Sequence, residues 1–369
     1  MKNTDISFPE PAFEDNSNIT PVVNGKVAII TNTINTSEEE YRSAHEMAAK
    51  YGKRVIHVTW PNNFLAERDH MVRVVEKIAA DPDVKALIIN QCVTGTNAAV
   101  DKLLETRKDI FIVYCNPQDD LKEVNARANL ILAFDEFELV NSASIQAKKM
   151  GANTLVHYSC PRHMAIKRLS QRRVLMKQKC NEIGIDFVNV TTLDPIGLVL
   201  PVAYRFIIED VPKMVAKYGK DTAFYSTNCT LQVPLIKAVM DTGAIFPQPC
   251  CPSPYHGFVA ALGIESNMEN PNNLQHVIDE TRKILKEKGL EGRFSTWPAP
   301  MGMMFIAGST EYAMKLINGE VSVDKLNVEV LKRLFSEYAK YEVSIKPYVD
   351  EEDIEYPNYM SVAMEYITY

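Results

Sequence analysis

The sequence lacks any apolar run approaching the roughly 18 residues that a membrane-spanning helix needs. It also lacks a G-x-S-x-G elbow, a Walker A loop and a G-x-G-x-x-G turn, so the recognisable signatures of serine hydrolases, P-loop nucleotidases and dinucleotide-binding enzymes are missing. Positive charge is in short supply: 40 Lys and Arg against 47 Asp and Glu give a net charge of -7 and a pI near 5.6. Such a field repels polyanions and argues against non-specific binding to nucleic acid or anionic membranes. Seven cysteines is an odd number, and apart from Cys250-Cys251 they are scattered without the spacing of a disulfide framework, which suits a reducing cytosol. The amino terminus, M-K-N-T-D-I-S-F-P-E-P-A-F-E-D-N-S-N, carries no apolar h-region, so the chain as written reads as cytoplasmic. The alternative is an extracytoplasmic lipoprotein whose signal was trimmed, since this polar, Pro-containing leader also resembles a lipoprotein tether.

What the chain does have is a repeated cadence of short apolar runs ending in polar residues and followed by helical patterns. Val84 to Asn97 is the clearest instance: the buried-strand run Ala86, Leu87, Ile88, Ile89 stops at Asn90, Gln91 and Cys92, and Thr94 to Asn97 open a helix. Similar strands are expected at Val27–Ile30, Val55–Val58, Ile110–Tyr114, Leu130–Phe134, Thr154–Tyr158, Asp186–Val190 and Thr222–Tyr225, with Glu38, Glu39 and Glu40 favouring the positive end of the first helix. Strands alternating with helices mean right-handed βαβ units, and 369 residues exceed the size of a single core. The expected fold is therefore α/β, with two doubly wound, Rossmann-like parallel sheets joined by crossovers across a ligand cleft. Residues 1–24 read as a disordered arm. The first lobe is expected over 25–137 plus about 252–310, and the second over 138–251 plus about 340–369. Gly302–Ala307 reads as a further strand, and Tyr359–Tyr369 as an extended segment on one sheet.

The stretches V-A-I-I-T-N-T, A-L-I-I-N-Q-C-V-T-G-T-N, I-F-I-V-Y-C-N-P, G-A-N-T-L-V-H-Y-S and A-F-Y-S-T-N-C-T-L-Q-V-P-L-I-K-A-V, taken in order, resemble the type 1 periplasmic-binding-protein fold shared with the effector domains of LacI-type repressors. The chain also looks like a family of clostridial and related bacterial proteins described as lipoproteins or as transcriptional regulators. Its ending, N-Y-M-S-V-A-M-E-Y-I-T-Y, is similar in style to nucleoside-binding lipoproteins. The resemblance implies two lobes that close on a small molecule. There are two departures from it: the segment ahead of Val27 leaves no room for a helix-turn-helix, and Asn228-Cys229 stands where many sugar binders carry Asn-Asp.

In open α/β sheets ligands bind outside the carboxyl ends of the strands. Candidate ligand-binding residues are thus Thr31, Asn32, Trp60, Asn90, Gln91, Thr94, Asn116 and Asp135 in the first lobe. The second lobe offers Ser159, Arg162, His163, Thr191, Asp194, Ser226 and Asn228. Asn, Thr and Ser at such places also cap helices and make turns, Trp60 could shield a sheet edge, and the cluster Arg162, Lys167, Arg168, Arg172 and Arg173 suits a solvated helix face. Arg162 is the arginine expected to reach inward. Cys160-Pro-Arg-His163 and Cys250-Cys251 with His256 offer Cys/His pairs, but no metal spacing accompanies either. His45-Glu46 lacks the second histidine of a zinc protease motif. No catalytic set, cofactor or metal is expected.

The leading reading is a non-catalytic binder of a polar metabolite such as a sugar, nucleoside or amino-acid derivative. It would hand its ligand to a transporter permease or change a regulatory partner, without direct nucleic-acid contact and with homodimer pairing as an option. A second reading is an effector-sensing regulator that lacks its own helix-turn-helix. A third, an enzyme using Cys160 and His163, has no acid–base or nucleophile constellation behind it.

Overall fold

Apolar runs bounded by Gly, Asn and Thr become parallel strands whose carboxyl ends converge on one cleft. The computed structural model describes residues 25–34, 36–119, 121–195, 199–265, 273–323, 325–349 and 353–369. The arm expected over 1–24 lies outside them.

The first lobe begins β1 (Lys26–Thr31), α1 (Glu38–Tyr51), β2 (Val55–Thr59), α2 (Arg68–Ala79), β3 (Val84–Asn90), α3 (Thr96–Thr106), β4 (Phe111–Cys115), α4 (Leu121–Asn125) and β5 (Leu130–Phe134). These strands pair in parallel in the order β2-β1-β3-β4-β5. Strand β3 is central, and Ala86 to Ile89 on it are fully buried. Each such isoleucine or leucine contributes on the order of 1.5–3 kcal/mol by leaving water. Two cores result, one on each face. Helices α2 and α3 cover one, with Trp60, Met71 and Val100; α1 and two later helices cover the other.

Helix α5 (Glu136–Lys149) carries the chain to the second lobe, where β6 (Thr154–Ser159), α6 (Pro161–Ala165), α7 (Lys167–Glu182), β7 (Asp186–Thr191), α8 (Leu200–Tyr218), β8 (Thr222–Ser226) and α9 (Gln232–Thr242) follow. The strand order is β7-β6-β8, all parallel, and Ile245 extends it by bridging Ala223. Next come α10 (Phe258–Leu262), α11 (Leu274–Glu287) and β9 (Ser295–Thr296), then α12 (Met301–Ile317), α13 (Val328–Ala339), β10 (Val343–Val349), β11 (Glu355–Met364) and β12 (Ile367–Thr368).

The last third of the chain departs from expectation in two ways. Gly302–Ala307 is part of α12, a helix buried on almost every side between the first sheet, α1 and α13. A helix with no solvent face carries no amphipathic period, so its apolar run reads as a strand. Gly308 permits that burial, because a Cβ there would overlap the Phe335 ring of α13. Further, β10 and β11 extend the first sheet, β11 parallel to β5 and β10 antiparallel to β11, so only β12 returns to the second lobe, pairing with β9. Conversely, Phe258, Ile278, Leu285 and Phe294 pack into the second core, so α10 and α11 belong to that lobe rather than to the first. The chain crosses between lobes at α5, between β9 and α12, and between β11 and β12.

Candidate functional site

A cavity of about 890 Å³ lies where the carboxyl ends of the two sheets face each other. Its first-lobe wall is built from the start of α1, the ends of β3, β4 and β5, and the start of α5. Gln91 and Asn116, directly after β3 and β4, adopt left-handed backbone with φ of 56° and 49°. Non-glycine residues rarely hold that conformation without support from their surroundings, and it turns both side chains toward the cleft. Gln91 Nε2 donates to Glu40 Oε1 at 3.0 Å. Asn116 N–H donates to Leu132 O at 2.7 Å, whereas its buried Oδ1 has no hydrogen-bond partner among the described residues. Asp135 caps α5 by accepting from the amides of Phe137 and Glu138.

The acidic first turn of α1 dominates the electrostatics. Glu38 pairs with Arg42 at 2.6 Å, but Glu39 and Glu40 face inward. Burial, and then the charge of Glu40, push the Glu39 carboxyl up to about 8, against the weaker pull of His256 and of the Ser253 hydroxyl. Burial likewise raises Glu40. Gly302 of α12 makes room for Glu40: a Cβ there would sit 2.5 Å from its Oε1. The helix end that should favour negative charge therefore holds two carboxyls that resist ionising, because loss of water outweighs the dipole, typically worth about 0.3–1 kcal/mol.

The second-lobe wall presents Arg168, Cys229, Cys251 and His256, with Tyr255 and Trp297 beside them. Arg168 donates to Glu136 Oε1 at 3.1 Å. Beneath the thiols lies the buried Arg172, which donates to Tyr225 Oη at 2.8 Å. Cys229 Sγ is 3.3 Å from Cys250 Sγ and 3.9 Å from Cys251 Sγ. Hydrogen bonds from those two thiols hold Cys229 well below the ordinary thiol range, while Cys250 is pushed up by donating and by burial. Among the described residues, this trio is the group of Cys, His, Asp and Glu side chains whose donor atoms crowd closely enough to share an ion.

Of the residues expected from sequence, Gln91, Asn116 and Asp135 line the cavity. The others lie outside it, and for most of them local partners claim their polar atoms. Thr31 hydrogen-bonds the Asn32 carbonyl and His57 Nε2, and Asn32 donates to Ser37 and Gln91. Asn90 donates to Gly302 O at 2.7 Å, which ties β3 to α12. Trp60 is 1% exposed and belongs to the core beneath α2, so it is not a ring platform. Thr94 sits in the turn before α3. In the second lobe Arg162, rather than reaching inward, makes a bidentate pair with Asp194 at 2.7 and 2.9 Å on the surface. His163 meets Thr227 Oγ1, and Ser226 Oγ accepts from Asn228 N–H. Asn228 Oδ1 caps the turn at Cys229–Leu231, Ser159 is buried at the end of β6, and Thr191 ends β7 on the surface.

Glu39, Glu40, Cys229 and His256 were missed as site residues. The triple glutamate carried a signal, but a helix-capping role accounted for it fully. Nothing in the sequence announced that Cys229 meets Cys250 and Cys251.

The family model described as "Protein of unknown function (DUF3798)" matches residues 26–295. Two relatives from Treponema pallidum (strain Nichols), each described as "Uncharacterized protein", are similar: one is 31% identical over 169 residues, 46% of this chain and 78% of that protein. The other is 30% identical over 179 residues, 47% of this chain and 81% of that protein. A solved structure from Clostridium difficile 630, described as a candidate transcriptional regulator, superimposes with a TM-score of 0.86 at 22% identity, covering 94% of this chain and 99% of that one. A sugar ABC transporter structure from Actinomyces odontolyticus ATCC 17982 gives 0.53 at 10% identity, covering 81% and 85%. Both are likenesses of fold, the two-lobed type 1 periplasmic-binding-protein arrangement.

Proposed function

This chain belongs to the DUF3798 family, and from that premise we propose that it is a non-catalytic protein that closes its two lobes on a small polar metabolite in the interlobe cavity. The observation that carries this reading is the pair Gln91 and Asn116: two strand-end residues held in left-handed backbone that line a space of about 890 Å³ between the carboxyl ends of the two sheets. Polar residues at the carboxyl ends of parallel strands are where open α/β sheets hold their ligands, and the buried Asn116 Oδ1 has no partner among the described residues. The buried Tyr255 hydroxyl on the facing wall has no described partner either.

The lining also narrows the guest. Carboxyls outnumber cations: Arg42 and Arg168 are engaged by Glu38 and Glu136, while among the described residues Glu39 and Glu40 have no Lys or Arg in a salt bridge and feel only the weak pull of the His256 imidazole. A neutral polyhydroxylated or amine-bearing molecule fits that balance; a phosphate or polycarboxylate does not. Phe134 and Tyr359 supply apolar faces for a sugar or nucleobase ring. This supports the class of sugars, nucleosides and amino-acid derivatives. The description of the Clostridium difficile neighbour as a candidate transcriptional regulator fits the same binding event with a different output.

Native mass spectrometry of protein purified from its own host, followed by denaturation and identification of the released molecule, tests the proposal. A stoichiometric neutral or cationic metabolite, whose affinity falls about tenfold or more in Asn116→Ala, is the expected result. An anionic ligand, or one held equally well by Asn116→Ala, contradicts it.

A further inference from the structure

We propose that Cys229, Cys250 and Cys251 form a mononuclear binding site for Zn2+ on the second-lobe wall of the cavity, with the imidazole of His256 as fourth donor. The three sulfurs form a triangle with edges of 3.3, 3.9 and 3.9 Å. Tetrahedral zinc with Zn–S bonds near 2.3 Å requires sulfurs about 3.8 Å apart, so the triangle is already one face of that tetrahedron. His256 Nε2 stands 3.6 Å from Cys250 Sγ, against about 3.5 Å for an S–Zn–N edge with Zn–N near 2.05 Å, but it lies outside the group whose donor atoms are all within 4.8 Å of one another, so its ring must swing toward the other two sulfurs to complete the tetrahedron. The sulfurs are too close together to surround a polynuclear iron–sulfur cluster, and at 3.3 Å or more no pair is bonded as a disulfide.

The fold explains why these groups meet. Cys229 sits in the turn leaving β8, and Cys250-Cys251 follow Ile245 and Phe246, which occupy the next position in the same sheet; the loop then doubles back to bring in His256. Cys229 and Cys251 open onto the cavity, so an ion has a route in, whereas Cys250 is 4% exposed. Zn2+ takes all three sulfurs as thiolates, any thiol proton going to solvent, and leaves a tris-thiolate complex with one net negative charge. Buried Arg172, fixed by Tyr225 and paired with Glu136 at 3.8 Å, lies beneath the thiols within electrostatic reach of Cys250 and Cys251 and offsets part of that charge. The remaining cysteines, Cys92, Cys115, Cys160 and Cys180, are buried singly or in the other cores and provide internal controls. The inference does not depend on the identity of any metabolite in the cleft.

The test uses full-length protein reduced and stripped with chelator under anaerobic conditions, titrated with Co2+ alone and then with Zn2+ in competition. The expected result is one ion per chain, with thiolate-to-Co2+ charge-transfer absorption and tetrahedral d–d bands that Zn2+ displaces. Zn2+ should also protect Cys229, Cys250 and Cys251, read by mass spectrometry, from alkylation. The double variant Cys229→Ser/Cys251→Ser, both positions open to the cavity, should keep its circular dichroism spectrum and lose the absorption; His256→Ala should keep a weaker complex, by about tenfold or more. Absence of the charge-transfer band, undiminished binding by the double variant, or a Cys229–Cys250 disulfide with no bound metal in anaerobically purified protein would each overturn the proposal.

Discussion

Replacing Glu39 with glutamine should stabilise the protein at alkaline pH and leave it almost unchanged in acid. The carboxyl of Glu39 is raised from 4.5 to about 8, chiefly by burial and next by the charge of Glu40. Below pH 4.5 the group is protonated in both the folded and unfolded chains, and its ionisation does not affect folding. As pH rises from 4.5 to 8 the unfolded chain loses the proton while the folded one keeps it, so stability falls by up to about 1.4 kcal/mol per pH unit. Water in the cavity reduces that slope, leaving a difference on the order of 2 kcal/mol above pH 8. Glutamine carries no charge, fills the same volume and still accepts from Ser253 Oγ, so it escapes the penalty. Urea unfolding of both proteins in chelator, from about pH 4 to about pH 9, gives the two stability curves. They should coincide in acid and diverge in favour of Glu39→Gln above neutrality. A constant difference across the range, or a wild type that gains on the variant as pH rises, would mean that the α1 dipole and His256 keep Glu39 ionised, and the burial argument would fail.

Trp60→Ala should cost about 3–5 kcal/mol of stability by opening a cavity under α2, whereas Arg162→Ala should change stability by less than about 1 kcal/mol because its pair with Asp194 is exposed; denaturant titration separates the two. Gly308→Ala gains about 1 kcal/mol of helix propensity but overlaps the buried Phe335 ring, so its melting temperature should fall, since overpacking typically costs 1–3 kcal/mol or more. Gly302→Ala pushes Glu40 off Gln91, and calorimetry with the released metabolite should show weakened binding with the fold retained.

The local alternation of strand and helix, the parallel pairing it implies and the strand-end position of the cleft were legible because they depend on short-range chemistry: β-branched runs, Gly and Asn stops, and polar residues where a buried strand must end. Gln91, Asn116 and Asp135 could be named for the same reason. Sequence alone could not say which strand-end polar groups are left over for a ligand, because that depends on who else reaches them. Asn90 is claimed by Gly302 from 212 residues away, and Arg162 by Asp194 across a loop. The same holds for α12, whose apolar period vanishes only because tertiary packing surrounds it, and for β10 and β11, whose place at the edge of the first sheet is fixed by β5. Long-range convergence decided the electrostatics as well. Three glutamates at a helix start favour negative charge locally, and only the approach of the second lobe removes the water that would keep Glu39 ionised. Likewise, thiols separated by about twenty residues become one triangle only once two neighbouring positions of the second sheet bring their ends together.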